Sequence, residues 1–250
     1  MSDFIQDDVR HAGKRGKLAP ARAAHLGALT DYLTAPLPVP PSSFNYGNKV
    51  TSGFPMALND TYGDCAIAGV IHLLEIWYAE VGEVFAYPGD EVVKETYFKL
   101  TGGQDTGLVL QNVLKEWQTN GLFGTKILGY APIEIRDTKT FKAATYAFGG
   151  TYLGVELPAN AEQQFEAGQP WHLAGGYQRP VGGHCIVGSG ANRLGVDDLT
   201  WGAEDAFTWS WWNYYGSEIW VAIPEIFAEK GHGPLANIDI ASLQLDLKSV

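Results

Sequence analysis

Apolar residues recur at three- and four-residue steps between Cys65 and Glu80, the spacing of one buried helix face. Thr61 and Asp64 stand just upstream as candidate cap residues, and Gly63 allows a tight turn into the helix. We therefore expect a helix whose first residue is Cys65. The same criteria predict further helices over 90–100, 108–119, 161–167 and 209–215, and a short one over 21–33.

From Lys126 onward the hydrophobic pattern changes to alternation with a period of two, which is typical of strands. The predicted strands cover 127–131, 150–157, 184–187, 196–201 and 219–223. Small and turn-forming residues between the third and fourth of these strands indicate a β-hairpin. Helices followed by antiparallel strands predict an α+β fold.

Charge and composition exclude several classes of function. The 250 residues carry a formal net charge of −11, and the only basic run lies between His11 and Arg22. A partner with a phosphate backbone would need clustered Lys and Arg, so we expect no nucleic-acid partner. No apolar stretch is long enough to cross a bilayer, so we expect no membrane partner, and the acidic N-terminus lacks the apolar core of a signal peptide. These features predict a cytoplasmic protein, or part of a particle assembled in the cytoplasm.

The chain has two cysteines, Cys65 and Cys185, which is typical of an intracellular protein rather than of a disulfide scaffold. A bridge between them is geometrically disfavoured, because Cys185 follows His184 on a strand and should point to the opposite face. A zinc site of Cys65, His184 and Cys185 would need a fourth ligand and lacks Cys-x-x-Cys spacing. We expect no metal and no cofactor.

Cys65 and His184 are the candidate catalytic residues. A thiol at a helix N-terminus meets the positive end of the helix dipole and unpaired amides, and both favour the nucleophilic thiolate. His184 heads an apolar strand after Gly182 and Gly183, where its imidazole could serve as the base of a thiol–imidazole pair. A buried structural thiol and a core histidine remain the alternatives.

The motifs around these residues resemble those of the papain-like cysteine peptidases. Asn59 stands six residues before Cys65, where the superfamily places an amide that donates to the oxyanion. His184 begins a strand, and the return strand ends in Thr200, Trp201 and Gly202. More specifically, the chain is similar to a group of bacterial and phage proteins with an Asn-Asp-x-x-Gly-Asp-Cys entry, a Gly-Gly-His strand and a Thr-Trp-Gly strand.

The resemblance implies a division of the chain. It covers residues 46–223, with a helical lobe over about 46–125 packed on an antiparallel β lobe over about 126–223 and with the cysteine helix at the centre. An extended N-terminal arm (1–45) and a C-terminal tail (224–250) fall outside it. The proline run of the arm favours extended polyproline geometry. We expect the arm to pack on its own body or on a neighbouring copy.

The sequence departs from the peptidase pattern at the residue that orients the histidine. The superfamily has asparagine two residues before the tryptophan, and here that position is Leu199. Thr200 and Asp198 are the alternatives. Counting from the histidine, the orienting position falls nearer Thr200, and a one-residue change of register in the hairpin would move Asp197 or Asp198 toward His184. Trp201 is expected to pack beside the histidine hairpin as a wall of the cleft.

Two functions follow from the resemblance. The first is a cysteine hydrolase that acts on a peptide or other amide bond through Cys65, His184 and Asn59. The second is a catalytically degenerate papain-like module that serves as a structural or binding protein, for example in a phage particle. The expected partners are a peptide or protein substrate in the first case, and further copies joined through the arm in the second.

Overall fold

The computed structural model describes residues 10–19 and 26–249. Its helices are α1 (Cys65–Glu80), α2 (Asp90–Leu100), α3 (Leu110–Thr119), α4 (Thr138–Phe148), α5 (Ala159–Glu166), α6 (Trp209–Tyr215), α7 (Glu225–Lys230) and α8 (Ile240–Leu247). Its strands are β1 (Phe44–Asn45), β2 (Ile127–Pro132), β3 (Thr151–Pro158), β4 (Pro180–Ala191), β5 (Gly195–Thr200), β6 (Ala203–Thr208) and β7 (Gly216–Pro224). The predicted α+β class is confirmed.

Seven strands form one antiparallel sheet in this part of the chain. Its order is β2-β7-β3-β4-β5-β6, and β1 pairs with the far end of β4. The long strand β4 lies between β3 and β5, where His184 pairs with Val155 and Gly188 with Asp198. The central strand that carries His184 is therefore held on both sides.

Helix α1 packs against this sheet and forms the centre of the core. The hydroxyl of Tyr152 on β3 donates to the carbonyl of Ala66, 2.6 Å away. At the other end of α1, the indole of Trp77 stacks on Trp117 of α3 at 5.2 Å and donates to the carbonyl of Phe148 in α4. Because Cys65 stands at the head of this fixed helix, its position is set by the core.

The predicted helices and strands differ from the observed ones at several ends. Strand β4 extends over Pro180–Ala191, well beyond the predicted 184–187, because it pairs with three partners in turn. Helix α3 begins at Leu110 rather than at Leu108, since the backbone of Leu108 pairs with the arm. The helix predicted over 21–33 is wrong where it can be compared: only a 3₁₀ turn at Leu29–Tyr32 forms, and residues 20–25 lie outside the described chain.

The C-terminal tail contains helices that the sequence pattern did not predict. Helix α8 packs on β2, where Leu243 and Leu247 lie against the place that a side chain would take at Gly129. The tyrosine hydroxyl of Tyr32 donates to Asp246, which joins the start of the described chain to its end. The described chain contains no helix that is both long and apolar enough to cross a membrane.

Candidate active site

A tight turn over residues 57–64 leads into Cys65. Ala57 and Leu58 both adopt positive φ, at 52° and 66°, a conformation that costs free energy in residues with a side chain and that clusters at functional sites. Asp105 braces the end of the turn, because its carboxylate accepts from the backbone of Gly63 at 2.9 Å. Cys65 then begins α1 directly after Asp64.

The thiol of Cys65 is only 1% exposed, and burial raises its pKa to about 12 despite backbone donors at Cys185 and Gly16. The sequence-based expectation of a lowered pKa is therefore wrong for this conformation. The helix terminus and the backbone amides favour the thiolate and lower the pKa. The loss of hydration on burial raises the pKa by more, so the thiol stays protonated.

His184 is fully buried on β4, and its ring lies 4.7 Å from that of Trp201. Its Nε2 atom is 2.7 Å from the hydroxyl of Thr200, whereas Nδ1 has no hydrogen-bond partner among the described residues. Burial lowers the pKa of His184 to about 3, and the charges of Arg15 and His72 act in the same direction. The ring is neutral here across the physiological pH range.

The two candidate catalytic residues stand on adjoining elements, Cys65 at the head of α1 and His184 on β4. The backbone amides that reach the Cys65 thiol include those of Gly16 and of Cys185, the neighbour of His184. No hydrogen bond joins the sulfur to the imidazole within the described chain, where both Cys65 and Cys185 are free thiols. The structure thus places the two groups on adjoining elements without pairing them.

The two alternatives for the orienting residue have different surroundings. Thr200 contacts the imidazole directly, as described above. Asp198 lies opposite Gly188, four residues beyond His184 along β4, and opposite Asp205 on β6. Burial and the charge of Asp205 raise the pKa of Asp198 well above its usual range. Asp198 belongs to a buried acid pair and has no hydrogen bond to the imidazole.

The N-terminal arm passes directly over these residues. The side-chain amide of Asn59 donates to the carbonyl of Lys14 at 3.1 Å, and the indole of Trp201 donates to the same oxygen at 3.3 Å. Asn59 and Trp201, predicted to bind the oxyanion and to line the cleft, therefore both hold the arm in this conformation.

The arm lies in a groove between Leu108, just before α3, and Gly183 on β4, and its backbone pairs with both sides. On the helical side, Leu108 donates to the carbonyl of Gly16 and accepts from the amide of Leu18, at 2.7 and 2.9 Å. On the β side, the amide of Lys17 donates to the carbonyl of Gly183 at 3.1 Å. We call residues 13–18 the groove segment, because they are bonded to both lobes.

The backbones of neighbouring segments approach each other closely here, which explains why glycines occupy these positions. A side chain at Gly16 would collide with the backbone of Gly63, and one at Gly107 would collide with Gly16. On the opposite wall, a side chain at Gly183 would come within 2.5 Å of the Lys17 carbonyl. A side chain added at Gly102 or Gly103 would meet no neighbouring atom, whereas Gly107 and Leu108 lie against the backbone of Gly16.

Ion pairs add to the backbone contacts of the groove segment. The ammonium of Lys17 is 1% exposed and lies 2.8 Å from Glu156 and 3.3 Å from Glu218. Arg15 pairs with Glu162. Sequence reasoning missed these roles, although one signal was present: the only basic run of a strongly acidic chain contains Gly13 and Gly16.

The described residues include no cluster of three or more His, Cys, Asp or Glu side chains that could hold a metal ion. Several polar groups lie at the contact between the arm, α1 and the sheet. They comprise a thiol, an imidazole held by a hydroxyl, and an amide donor directed at a carbonyl oxygen.

No protein-family model and no curated protein matches the sequence. Several solved structures do resemble it in fold. Xylellain, a cysteine protease from Xylella fastidiosa, has a TM-score of 0.64 at 10% identity, covering 86% of this chain and 97% of that one. Procathepsin L 3 of Tenebrio molitor larval midgut has a TM-score of 0.57 at 11% identity, covering 86% and 76%. Procathepsin B S9 from Trypanosoma congolense has a TM-score of 0.55 at 10% identity, covering 84% and 86%.

The protein therefore has the fold of the papain-like cysteine peptidases, as the sequence motifs predicted. In this chain a helix headed by Cys65 packs on an antiparallel sheet that carries His184. Identities near a tenth establish the fold, and the chemistry has to be argued from this chain's own residues.

Proposed function

We propose that this protein is a cysteine hydrolase of amide bonds, held latent by its own groove segment. The observation that carries the proposal is the hydrogen bond from the Asn59 amide to the Lys14 carbonyl. An amide that donates to a carbonyl oxygen beside a helix-terminal thiol is the arrangement that acyl transfer requires.

The chemistry begins once a substrate carbonyl replaces that of Lys14. His184 takes the thiol proton, and the Cys65 sulfur attacks the carbonyl carbon while Asn59 and a backbone amide near Cys65 stabilise the oxyanion. The C–N bond breaks, and His184 returns the proton to the leaving amine. Water then attacks the thioester, which releases a carboxylic acid and restores the thiol. Thr200 holds the imidazole in place through Nε2.

Latency follows from burial. With the groove segment in place, the thiol and the imidazole are both neutral, since burial raises the pKa of one and lowers that of the other. Departure of residues 13–18 admits water to both groups, which stabilises their charged forms and permits a thiolate–imidazolium pair.

The test compares alkylation of Cys65 by iodoacetamide in the full-length protein and in Gly16→Val. The valine collides with the backbone of Gly63 and expels the groove segment. We expect the alkylation rate at neutral pH to rise on the order of tenfold or more, because labelling of a buried thiol depends on local opening. Buried Cys185 serves as an internal reference, and His11→Ala, which alters an exposed arm residue, is the control variant.

Adding His184→Ala to Gly16→Val should remove the gain in alkylation if the imidazole activates the thiol. Cleavage of fluorogenic peptide amides should then appear in Gly16→Val and be absent from the double variant. An alkylation rate indifferent to both substitutions would contradict the proposal.

The filled groove also favours a second candidate, a structural or binding module without activity. In that case the groove segment is a permanent part of the core, and Gly16→Val lowers stability without exposing a reactive thiol. The alkylation experiment separates the two functions. Assembly through the arm and a place in a particle remain predictions from the sequence.

A further inference from the structure

Glu75 is a buried carboxyl group without a protein partner. It lies on α1, ten residues beyond Cys65, and is 7% exposed. No hydrogen bond or ion pair reaches its carboxylate from residues 10–19 or 26–249, and its Oε2 atom is completely shielded from solvent. Buried carboxylates in proteins are normally paired, so an unpaired one marks a place where a ligand could supply the missing charge.

Two cavities meet at this carboxyl group. The larger, of about 430 Å³, is bounded by the rings of Phe54, Phe85 and Tyr87 and reaches Gly202. The smaller, of about 230 Å³, lies on the other side of Phe85, between the segments around Ser52 and Gly82. The larger volume falls in the range of small-molecule sites.

The residues that line the larger cavity favour an organic cation as its ligand. Three aromatic rings around a carboxylate attract an organic cation, because the ring faces are electron-rich and the carboxylate supplies the opposite charge. An anion would be repelled, and a neutral molecule would leave the carboxylate unpaired.

Among residues 10–19 and 26–249, no cation pairs with the Glu75 carboxylate. Lys49 lines the smaller cavity, but its ammonium lies 2.6 Å from Glu80. Glu83, also on that wall, pairs with Lys230. Burial alone raises the pKa of Glu75, to about 8, with no contribution from a nearby positive charge.

We propose that the cavity between Glu75 and the rings of Phe54, Phe85 and Tyr87 binds a small organic ammonium ion. The site is separate from the groove and does not depend on the proposed hydrolase activity. It reaches Gly202, the neighbour of Trp201, in the turn that follows β5.

The test is calorimetric titration of the full-length protein with choline and with 3,3-dimethyl-1-butanol, its neutral carbon analogue. It is run at about pH 9, where the Glu75 carboxyl is ionised. We expect choline to bind and the alcohol to bind at least about tenfold more weakly. Glu75→Gln should weaken choline binding by a similar factor and leave the alcohol unaffected.

Glu91→Gln, which alters an exposed carboxylate on α2, is the matched control and should bind choline normally. Phe85→Leu provides a second test if Glu75→Gln does not fold, and it should weaken choline by removing a ring. Equal affinity for choline and the alcohol, unchanged choline binding in the variants, or no binding of choline at ~10 mM would each overturn the proposal.

Discussion

The side-chain amide of Asn59 donates a hydrogen bond to the backbone carbonyl of Lys14, 45 residues earlier in the chain. The residue expected to stabilise an oxyanion therefore also holds the segment that covers the site. This double use gives Asn59 two effects that can be measured separately.

Asn59→Ala should have opposite effects on labelling and on hydrolysis. In the full-length protein it loosens the groove segment, so alkylation of Cys65 should become faster. In the Gly16→Val background it removes an oxyanion donor, and hydrolysis of peptide amides should fall about 10²–10³-fold. Alkylation needs no oxyanion donor. A parallel fall in both rates would indicate damage to the turn before α1 rather than loss of the donor.

Thr200→Val in the Gly16→Val background should slow hydrolysis about 10- to 100-fold, because the imidazolium loses a hydrogen bond that contributes about 1.5–3 kcal/mol. Thr200→Asn, which introduces an amide that can still bond to the imidazole, should retain more activity than valine. Steady-state kinetics across pH measure the effect. Thr51→Val, at an exposed threonine, is the control in the same background. If Gly16→Val and its three derivatives, Thr200→Val, Thr200→Asn and Thr51→Val, were equally active, Thr200 would have no orienting role.

Lys17→Met should destabilise the protein by about 3 kcal/mol, because it leaves the carboxylate of Glu218 buried without its cation. Adding Glu218→Gln removes that charge while its side chain can still accept from the Trp220 indole. The double variant should thus be more stable than Lys17→Met alone. Urea unfolding measures the free energy of unfolding of each variant relative to the wild type. Lys14→Met, which removes an exposed cation of the same segment, is the control. Additive effects would show that the two side chains do not interact.

The contribution of the buried carboxyl groups to stability should decline as the pH rises from about 5 to about 9. Burial raises the pKa of Glu75 to about 8, so the folded state retains a proton that the unfolded state has already lost above its pKa of about 4.5. The stabilisation is complete below the unfolded pKa and is lost as the pH passes through the folded one. The buried carboxyls of Asp64 and Asp205, with pKa values raised to about 8 and about 7, act in the same direction.

Glu75→Gln cannot release this proton, so it should match the wild type near pH 5 and exceed it in stability near pH 9. Urea unfolding at the two pH values measures the difference. At the acid end the sign reverses for His184, because its folded pKa of about 3 lies below its unfolded value and stability falls as the pH drops below about 6.5. Identical pH slopes for the wild type and Glu75→Gln would contradict the assignment.

Local patterns predicted the elements that carry the candidate site. Helix α1 starts and ends where its apolar spacing and cap residues indicated, and α2 and α6 also match their predicted bounds. Helix α4 was missed although Asp137 caps it and its buried side chains have helical spacing. Strand β6 gave a weaker signal, because Glu204 and Asp205 interrupt its alternation.

The occupied groove could not be read from local patterns. Lys17 meets Glu156 and Glu218 across more than a hundred residues of sequence, and such pairs become visible only once the sheet has formed. The position of Cys65 at a helix N-terminus, where the dipole favours a thiolate, is visible in the local sequence. The arm that removes this thiol from water lies fifty residues upstream, outside any local pattern.

The two ends of the sheet limit how copies of this protein could associate. Along β6, the single residue Trp171 donates to Ala206 and accepts from Thr208, and Pro170 before it has no amide with which to extend the pairing. At the opposite end, the side chain of Gln244 in α8 donates to the carbonyl of Leu128. Because both borders of the sheet already carry such bonds, growth of a continuous sheet from one molecule into the next is disfavoured.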